Sequence, residues 1–258
     1  MFAHGKRPDR SALKAFVAGQ SAISISHDPL AEYPVELVSG DEELVSKTPA
    51  NENGDCPTNW VELLCEGLAF DLKGLSPGES VPIPSVRHRF DVDAGLDLGD
   101  HEALVLVPGH HLAGGERAVP VVKGLIGLAR DLVHNFEDLE AIIWPASASA
   151  IGPRFFESVI TAWLDGGPFP ALGLTAFEEG EGGALQSVGL DFWIDQELLI
   201  EPPLSVDKIA ATRLGVRLVN QLVLVGGIDG SERVVAPDGG RLVMRMSRNE
   251  RFIRVSRE

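Results

Sequence analysis

Apolar residues recur at intervals of three and four in three stretches of the chain, and this period predicts three amphipathic helices. The predicted helices cover residues 116–135, 153–164 and 206–225. Ser205 stands directly before the third stretch. It is the residue type that most often caps a helix N-terminus, so we expect it to begin that helix.

Shorter apolar or alternating runs of strand length lie before and between these helices. The wholly apolar run 103–107 is predicted to be a central strand. Further strands are predicted at residues 22–26, 139–144, 171–177, 186–200, 241–246 and 251–255. Helices separated by hairpins favour an α+β fold with a mostly antiparallel sheet. The nearest simple template is a ferredoxin-like split βαβ unit with additions.

The length of 258 residues allows one large domain or two small ones. Turn-forming residues are concentrated at 39–58, 74–84 and 177–185, and none of these stretches has the length of a linker between independent domains. We therefore expect residues 1–100 to contribute strands and loops to the same fold as an α+β core at 101–258.

The excess of acidic over basic residues argues against some classes of function. The chain has 22 Lys and Arg against 38 Asp and Glu, a formal net charge of −16. Such a chain repels phosphate, which argues against a nucleic-acid partner. No apolar run approaches the roughly 20 residues of a membrane span, and Lys14 interrupts any signal-peptide core. We expect a soluble cytoplasmic protein, monomeric or a small homo-oligomer, with reduced thiols at Cys56 and Cys65.

The segment VPGHHLAGGERAV, at residues 107–119, has two glycines with the spacing of a phosphate-binding loop. Gly115-Glu116 stands where such a loop has lysine followed by Ser or Thr. The missing lysine argues against a nucleotide-hydrolysing loop. A simple anion site at the helix N-terminus and a plain glycine-rich turn both stay open.

The adjacent residues His110 and His111 are candidate metal ligands. In an extended segment their side chains point in opposite directions, so a metal site needs ligands from elsewhere in the fold. The additional ligands that we consider are His88, Asp91, Asp93, His101 and Glu116. Exposed loop histidines without a ligand are the alternative.

Four carboxylates, at Asp191, Asp195, Glu197 and Glu201, share one face if residues 186–201 form a straight strand. They then hold a cation, supply an acid–base pair or face solvent. The candidate ligand-binding residues at the strand-end turn are therefore His110, His111, Trp144 and Glu197. The sequence identifies neither the metal nor a cofactor.

Catalytic motifs are incomplete throughout the chain. Ser205 and Lys208 match S-x-x-K, but no S-D-N or K-T-G follows, and the chain has no G-x-S-x-G. The acidic start at Asp91 departs from a calcium loop at Gly95 and Leu96.

The C-terminal stretch is basic. Its arginines are Arg241, Arg245, Arg248, Arg251, Arg254 and Arg257, with only two acids nearby. Alternation predicts that Arg241, Val243 and Arg245 face outward while Leu242, Met244 and Met246 face the helices. Arg241 and Arg245 then protect a sheet edge or bind an anion or an acidic partner.

Three segments carry a family resemblance: HEALVLVPGHH (101–111), AIIWPASASAI (141–151) and GLDFWIDQELLIEPP (189–203). They resemble uncharacterised bacterial proteins of the domain of unknown function 4261 family, over about the last 60% of the chain. Leu199 stands where the family pattern leads us to expect a second acid. The resemblance implies an α+β fold and no activity, cofactor or catalytic residue.

Because every catalytic pattern is incomplete, the leading hypothesis is a non-enzymatic protein-binding or regulatory module. The alternative is an enzyme, or a small-ligand or metal-binding domain, with its site at the His110–His111 turn.

Overall fold

The computed structural model describes residues 1–32, 60–236 and 238–258; the predicted loop 39–58 and Cys56 lie outside the described residues. The chain divides into two compact units. Unit 1 comprises Met1–Ile83 and Gly95–Glu140, and unit 2 comprises Pro84–Ala94 and Ala141–Glu258. The division falls inside the region 101–258, and each unit takes residues from both sides of position 100.

The helices of the described residues are α1 (Arg10–Ala18), α2 (Pro29–Glu32), α3 (Val119–Asn135), α4 (Pro153–Leu164), α5 (Ala171–Leu174), α6 (Asp191–Ile194) and α7 (Lys208–Val225). The strands are β1 (Phe2–Ala3), β2 (Ile23–His27), β3 (Trp60–Cys65), β4 (Leu68–Lys73), β5 (His88–Phe90), β6 (His101–Glu102), β7 (Val105–Pro108), β8 (Ile142–Trp144), β9 (Ser149–Ile151), β10 (Ala176–Glu179), β11 (Leu185–Val188), β12 (Glu197–Ile200), β13 (Ser231–Val235), β14 (Arg241–Met246) and β15 (Phe252–Arg257).

Unit 1 contains the four-stranded antiparallel sheet β2-β3-β4-β7 and the short pair β1-β6. The alternation of β3 and β4 puts apolar side chains on one face, where α1 and α3 complete the core. The members of this core include Leu13, Phe16, Leu63, Phe70, Leu72, Leu128 and Leu132. The prediction of a central strand at 103–107 is wrong, because β7 lies at the sheet edge, where its half-buried side chains pack against α3.

Unit 2 contains a six-stranded sheet with the order β10-β11-β12-β15-β14-β13. Only the β12–β15 pair of this sheet is parallel. Helix α7 packs against β11 and β12. A second sheet, β5-β9-β8, takes β5 from the segment Pro84–Ala94. Helices packed on mostly antiparallel sheets in both units confirm the predicted α+β class.

The helical period predicted α4 with its observed bounds, whereas α3 and α7 begin a few residues later than expected. Ser205 does not cap α7. Its buried hydroxyl donates to the Gly183 carbonyl at 2.7 Å, and the Asp207 carboxylate accepts from the first amides of the helix instead. A side chain already committed to a buried bond cannot serve as the cap.

The straight acidic strand expected at 186–201 is interrupted. Strand β11 ends at Val188, α6 forms one turn, and β12 begins at Glu197. Positive φ angles at Gly189 (86°) and Asp195 (59°) turn the chain at both ends of this insertion. The four carboxylates therefore do not share a strand face.

Strand β14 carries the predicted arginines. Arg241 and Arg245 are exposed while Leu242 and Met244 are buried, which confirms that part of the predicted alternation. Val243 is only 5% exposed although it shares the arginine side, so its predicted exposure is wrong. The ribbon is also not an edge, because β14 lies between β13 and β15.

Candidate functional site

His110 and His111 follow β7 directly. At this strand end the Gly109 amide donates a hydrogen bond to the Ala69 carbonyl of β4, at 2.8 Å. The chain then tightens into a 3₁₀ turn over His110–Leu112. Because the segment is not extended, the two imidazoles lie side by side with ring centroids 3.6 Å apart. The expectation that they point in opposite directions is wrong.

The third member of this cluster is Glu62, on β3. One ligand atom each from Glu62, His110 and His111 lies within 4.8 Å of the other two. The histidines are exposed and the glutamate is half-buried. Glu62 Oε1 also accepts a hydrogen bond from the Ser26 hydroxyl at 2.7 Å, which orients the carboxylate.

Sheet register explains how residues 48 positions apart in the sequence meet. Glu62 is directly opposite Asp71 on β4, and Asp71 is directly opposite Val107 on β7. The turn that carries the histidines begins three residues after Val107. The only local signal at Glu62 is a carboxylate inside an apolar run, Trp-Val-Glu-Leu-Leu. Such a residue is also typical of an exposed strand face, so the local sequence does not mark Glu62 as a ligand.

The electrostatic setting of the Glu62–His110–His111 cluster favours a cation. Glu62 and Asp71 are directly opposite each other on β3 and β4, so both carboxylates lie on the same side of the sheet. Unit 1 as a whole contains 9 Lys and Arg against 21 Asp and Glu. A cation that approaches the two imidazoles therefore enters a negative potential.

The other ligands expected for this turn are placed differently. The His101 imidazole contacts the Glu140 carboxylate and the Asp97 carbonyl, each at 2.7 Å. His88, Asp91 and Asp93 belong to unit 2, as do Trp144 and Glu197, whereas His110 and His111 belong to unit 1.

Glu197 organises the interrupted strand of unit 2. Its carboxylate accepts hydrogen bonds from the Ser187 hydroxyl, from the Gly189 amide at 2.7 Å and from the Asp191 amide at 3.3 Å. The Ser187 hydroxyl in turn accepts from the Leu198 amide at 2.7 Å. These bonds replace the ladder bonds that the turn removes from β11 and β12.

Burial raises the pKa of Glu197 from 4.5 to about 7, against the opposing effect of the hydrogen bonds that it accepts. The neighbouring Asp191 carboxylate acts in the same direction as burial. Glu197 therefore changes its protonation state near neutral pH. The hydrogen bonds that its carboxylate accepts come from Ser187, Gly189 and Asp191, so the carboxylate holds the turn between β11 and β12.

Trp144 belongs to an aromatic cluster that the same turn supports. Its ring stacks with Trp193 at a centroid distance of 6.1 Å and meets Phe192 edge-on at 5.3 Å. Trp163 and Phe169 complete the cluster around Trp193. Within the described residues, the buried indole N–H groups of Trp144 and Trp193 have no hydrogen-bond partner.

Comparisons with protein-family models, with curated proteins and with solved structures find no match to this chain. The resemblance to the domain of unknown function 4261 family therefore stays a prediction. Among the described residues, no helix combines the length and the hydropathy needed to cross a membrane.

Proposed function

We propose that unit 1 binds a divalent transition-metal ion, with Zn²⁺ as the reference case, through Glu62, His110 and His111. The observation that carries this proposal is the convergence of three ligand atoms within 4.8 Å, one from strand β3 and two from the turn that follows β7 in the same sheet. Their chemistry fits, because imidazole and carboxylate are common ligands of zinc.

The type of ligand selects the class of metal. Two imidazole nitrogens favour Zn²⁺, Cu²⁺, Ni²⁺ or Fe²⁺, while Mg²⁺ and Ca²⁺ prefer sites built from oxygen alone. Tetrahedral ligands about 2.1 Å from zinc lie about 3.4 Å from one another. The three ligand atoms all lie within 4.8 Å of one another, and rotation of the exposed imidazoles can adjust their separations to that tetrahedral value.

Three protein ligands leave one coordination position open. Catalytic zinc sites have this arrangement, whereas structural sites use four protein ligands. The open position takes a water molecule, or a donor group from a substrate or partner. The site thus supports binding of a metal together with a further small ligand.

The experiment is calorimetric titration of the metal-free full chain with ZnCl₂. We expect one equivalent to bind in the wild type, and His110→Ala, His111→Ala and Glu62→Gln each to weaken binding at least tenfold. His4→Ala is the matched control, since its side chain is 88% exposed and lies outside the cluster. Binding that survives all three cluster variants overturns the proposal, as does the absence of binding in the wild type.

A spectroscopic measurement tests the geometry independently. Co²⁺ in place of zinc absorbs strongly in the visible range when four-coordinate and weakly when six-coordinate. We expect the four-coordinate spectrum, changed by an added anion that enters the open position. Circular dichroism of each variant shows whether the fold is retained, which separates loss of a ligand from loss of structure.

The remaining expectations about function are further proposals. A non-enzymatic protein-binding or regulatory role is supported by the incomplete catalytic motifs. The absence of a nucleic-acid partner is supported by the net charge of −16. A cytoplasmic location, a monomeric or small oligomeric state and membership of the domain of unknown function 4261 family rest on the sequence alone.

A further inference from the structure

We propose that the outer face of β14 and β15 docks an acidic segment of a partner polypeptide. This surface, here called the arginine face, consists of Arg241, Arg245 and Arg254 with the intervening Val243. It lies in unit 2 and does not depend on the metal site proposed for unit 1.

The register places like charges directly opposite each other. Arg245 on β14 is the cross-strand partner of Arg254 on β15. Directly opposite like charges destabilise a sheet, so this pair calls for compensating anions. Arg254 has one, because its guanidinium bonds the Glu201 carboxylate, with Nε at 2.8 Å.

Over the ranges that the structure describes, neither Arg245 nor Arg241 bonds a carboxylate, and Glu258, whose amide donates to the Arg241 carbonyl at 3.1 Å, bonds Arg233 instead. In the described parts of the chain, neither guanidinium forms an ion pair or a side-chain hydrogen bond, although both are exposed. Nearby arginines differ in this respect. Arg233 contacts Glu258 at 2.7 Å, and Arg257 contacts Asp238 at 3.5 Å. Unit 2 has 17 acids against 13 basic residues, so uncompensated arginines are not forced by its composition.

The type of basic residue indicates the type of ligand. Residues 231–258 contain seven arginines and no lysine. The planar guanidinium binds a carboxylate through two parallel N–H bonds, which an ammonium group cannot do. A surface whose basic residues are all arginine therefore fits recognition of carboxylates better than general attraction of anions.

The face also offers apolar contact between its charges. Val243 lies between Arg241 and Arg245 on the same side of β14, and Leu199 is the cross-strand neighbour of Arg254. Val243 is buried and Leu199 is half-buried, so the two form an apolar floor, meaning a surface that lies beneath the exposed guanidiniums. A peptide that crosses this floor can bury apolar side-chain atoms as well as pair its charges.

Strand geometry gives the expected spacing of acids in the partner. Arg241 and Arg245 are four residues apart, which is about 13 Å along a strand. An extended peptide with Asp or Glu at positions i and i+4 places its carboxylates at the same separation. A long polyanion such as nucleic acid is disfavoured, because it also meets the negative potential of a chain with net charge −16.

The probe is a fluorescein-labelled peptide with glutamate at every second position, measured by fluorescence anisotropy on the full chain. The reference peptide has glutamine in place of each glutamate. We expect the glutamate peptide to bind and the glutamine peptide to bind at least tenfold more weakly. Failure of the glutamate peptide to bind overturns the proposal.

The variants locate the binding surface. Arg241→Gln with Arg245→Gln is expected to weaken binding at least tenfold. Arg248→Gln with Arg251→Gln makes the same change of charge in the exposed turn between β14 and β15, and is expected to change binding less than twofold. An equal loss in both double variants shows attraction by net charge alone and overturns the proposal.

Two further outcomes also overturn the proposal that the arginine face binds an acidic peptide. The first is tighter binding of a labelled single-stranded oligothymidine of matched length, which assigns the face to nucleic acid. The second is self-association of the Arg241→Gln, Arg245→Gln variant in sedimentation with unchanged binding of the peptide. That result assigns the arginines to preventing contact between copies of this chain.

Discussion

At the scale of single residues, Glu197 shows two opposing effects on one carboxylate. Three donors stabilise its charge, while burial removes the water that would otherwise solvate it. Burial has the larger effect, because the pKa rises to about 7. The folded state therefore keeps a proton that the unfolded chain releases above pH 4.5.

The sign of the resulting pH dependence follows from this difference. The contribution of Glu197 to stability is greatest below pH 4.5 and falls as the pH rises to about 7. We expect Glu197→Gln to remove this loss, which amounts to at most about 3 kcal/mol. Urea unfolding of both proteins at several pH values between about 4.5 and 8 measures the difference.

Glu232→Gln is the control for that experiment, because Glu232 is exposed on β13. Its free energy of unfolding is expected to follow the wild-type pH profile. Parallel profiles for the wild type and Glu197→Gln would contradict the assignment of the raised pKa to this residue.

The Glu62–His110–His111 cluster shows, also for single residues, which members the residue types reveal and which they hide. Adjacent histidines after an apolar strand pointed to the turn that carries two members of this cluster, since imidazoles are recognisable as potential ligands wherever they occur. Glu62 contributes a carboxylate that resembles many other strand carboxylates in this acidic chain. Only the pairing of β3, β4 and β7 distinguishes it, and no local pattern encodes that pairing.

At the scale of elements, helix periodicity predicted α4 fully because its signal is local: a proline at the start and an apolar face. The prediction of a straight acidic strand at 186–201 was wrong because the signal that interrupts it is not local. The Gly189 amide is held by a carboxylate eight residues later, so the turn depends on a contact that alternation does not record. The prediction that Ser205 caps α7 was wrong for a similar reason, because its hydroxyl bonds the distant Gly183 carbonyl and not the first amides of the helix.

Because Asp207 caps α7, the stability of this helix is expected to depend on the Asp207 side chain. Asp207→Ala removes the acceptor of the Ile209 and Ala210 amides, bonded at 3.0 and 3.1 Å, and is expected to cost about 1 kcal/mol. Asp207→Ser keeps an acceptor and is expected to restore most of that stability. Chemical denaturation measures both variants.

Ser205→Ala separates the two cap assignments. Hydrogen exchange of the Ile209 and Ala210 amides is expected to accelerate in Asp207→Ala and to stay at the wild-type rate in Ser205→Ala. Faster exchange in Ser205→Ala would return the capping role to the serine.

At the scale of the whole molecule, chain order does not coincide with the compact units. The segment Pro84–Ala94 leaves unit 1 and supplies β5 to unit 2, where it pairs in parallel with β9. Its partners are about 60 residues away in the sequence, so composition and turn signals alone suggested one continuous fold. The turn-rich segments on either side of Pro84–Ala94 resemble ordinary surface loops. They do not indicate that this segment belongs to unit 2.

Gly152 is where the β5 segment depends most on the absence of a side chain. Its amide donates to the Phe90 carbonyl at 2.8 Å, and a β-carbon at this position would overlap the backbone oxygen of Asp91. We expect Gly152→Ala to displace β5 and to lower the stability of unit 2 by about 3 kcal/mol, at the upper end of overpacking costs. Hydrogen exchange is expected to accelerate in β8, β9 and α4 and to remain unchanged in β3, β4 and α3.

Gly230→Ala is the control, since a β-carbon there meets no atom within 4 Å. Equal acceleration in all six elements would mean that the chain unfolds as one cooperative body, which would contradict unit 2 as a separate unit of stability.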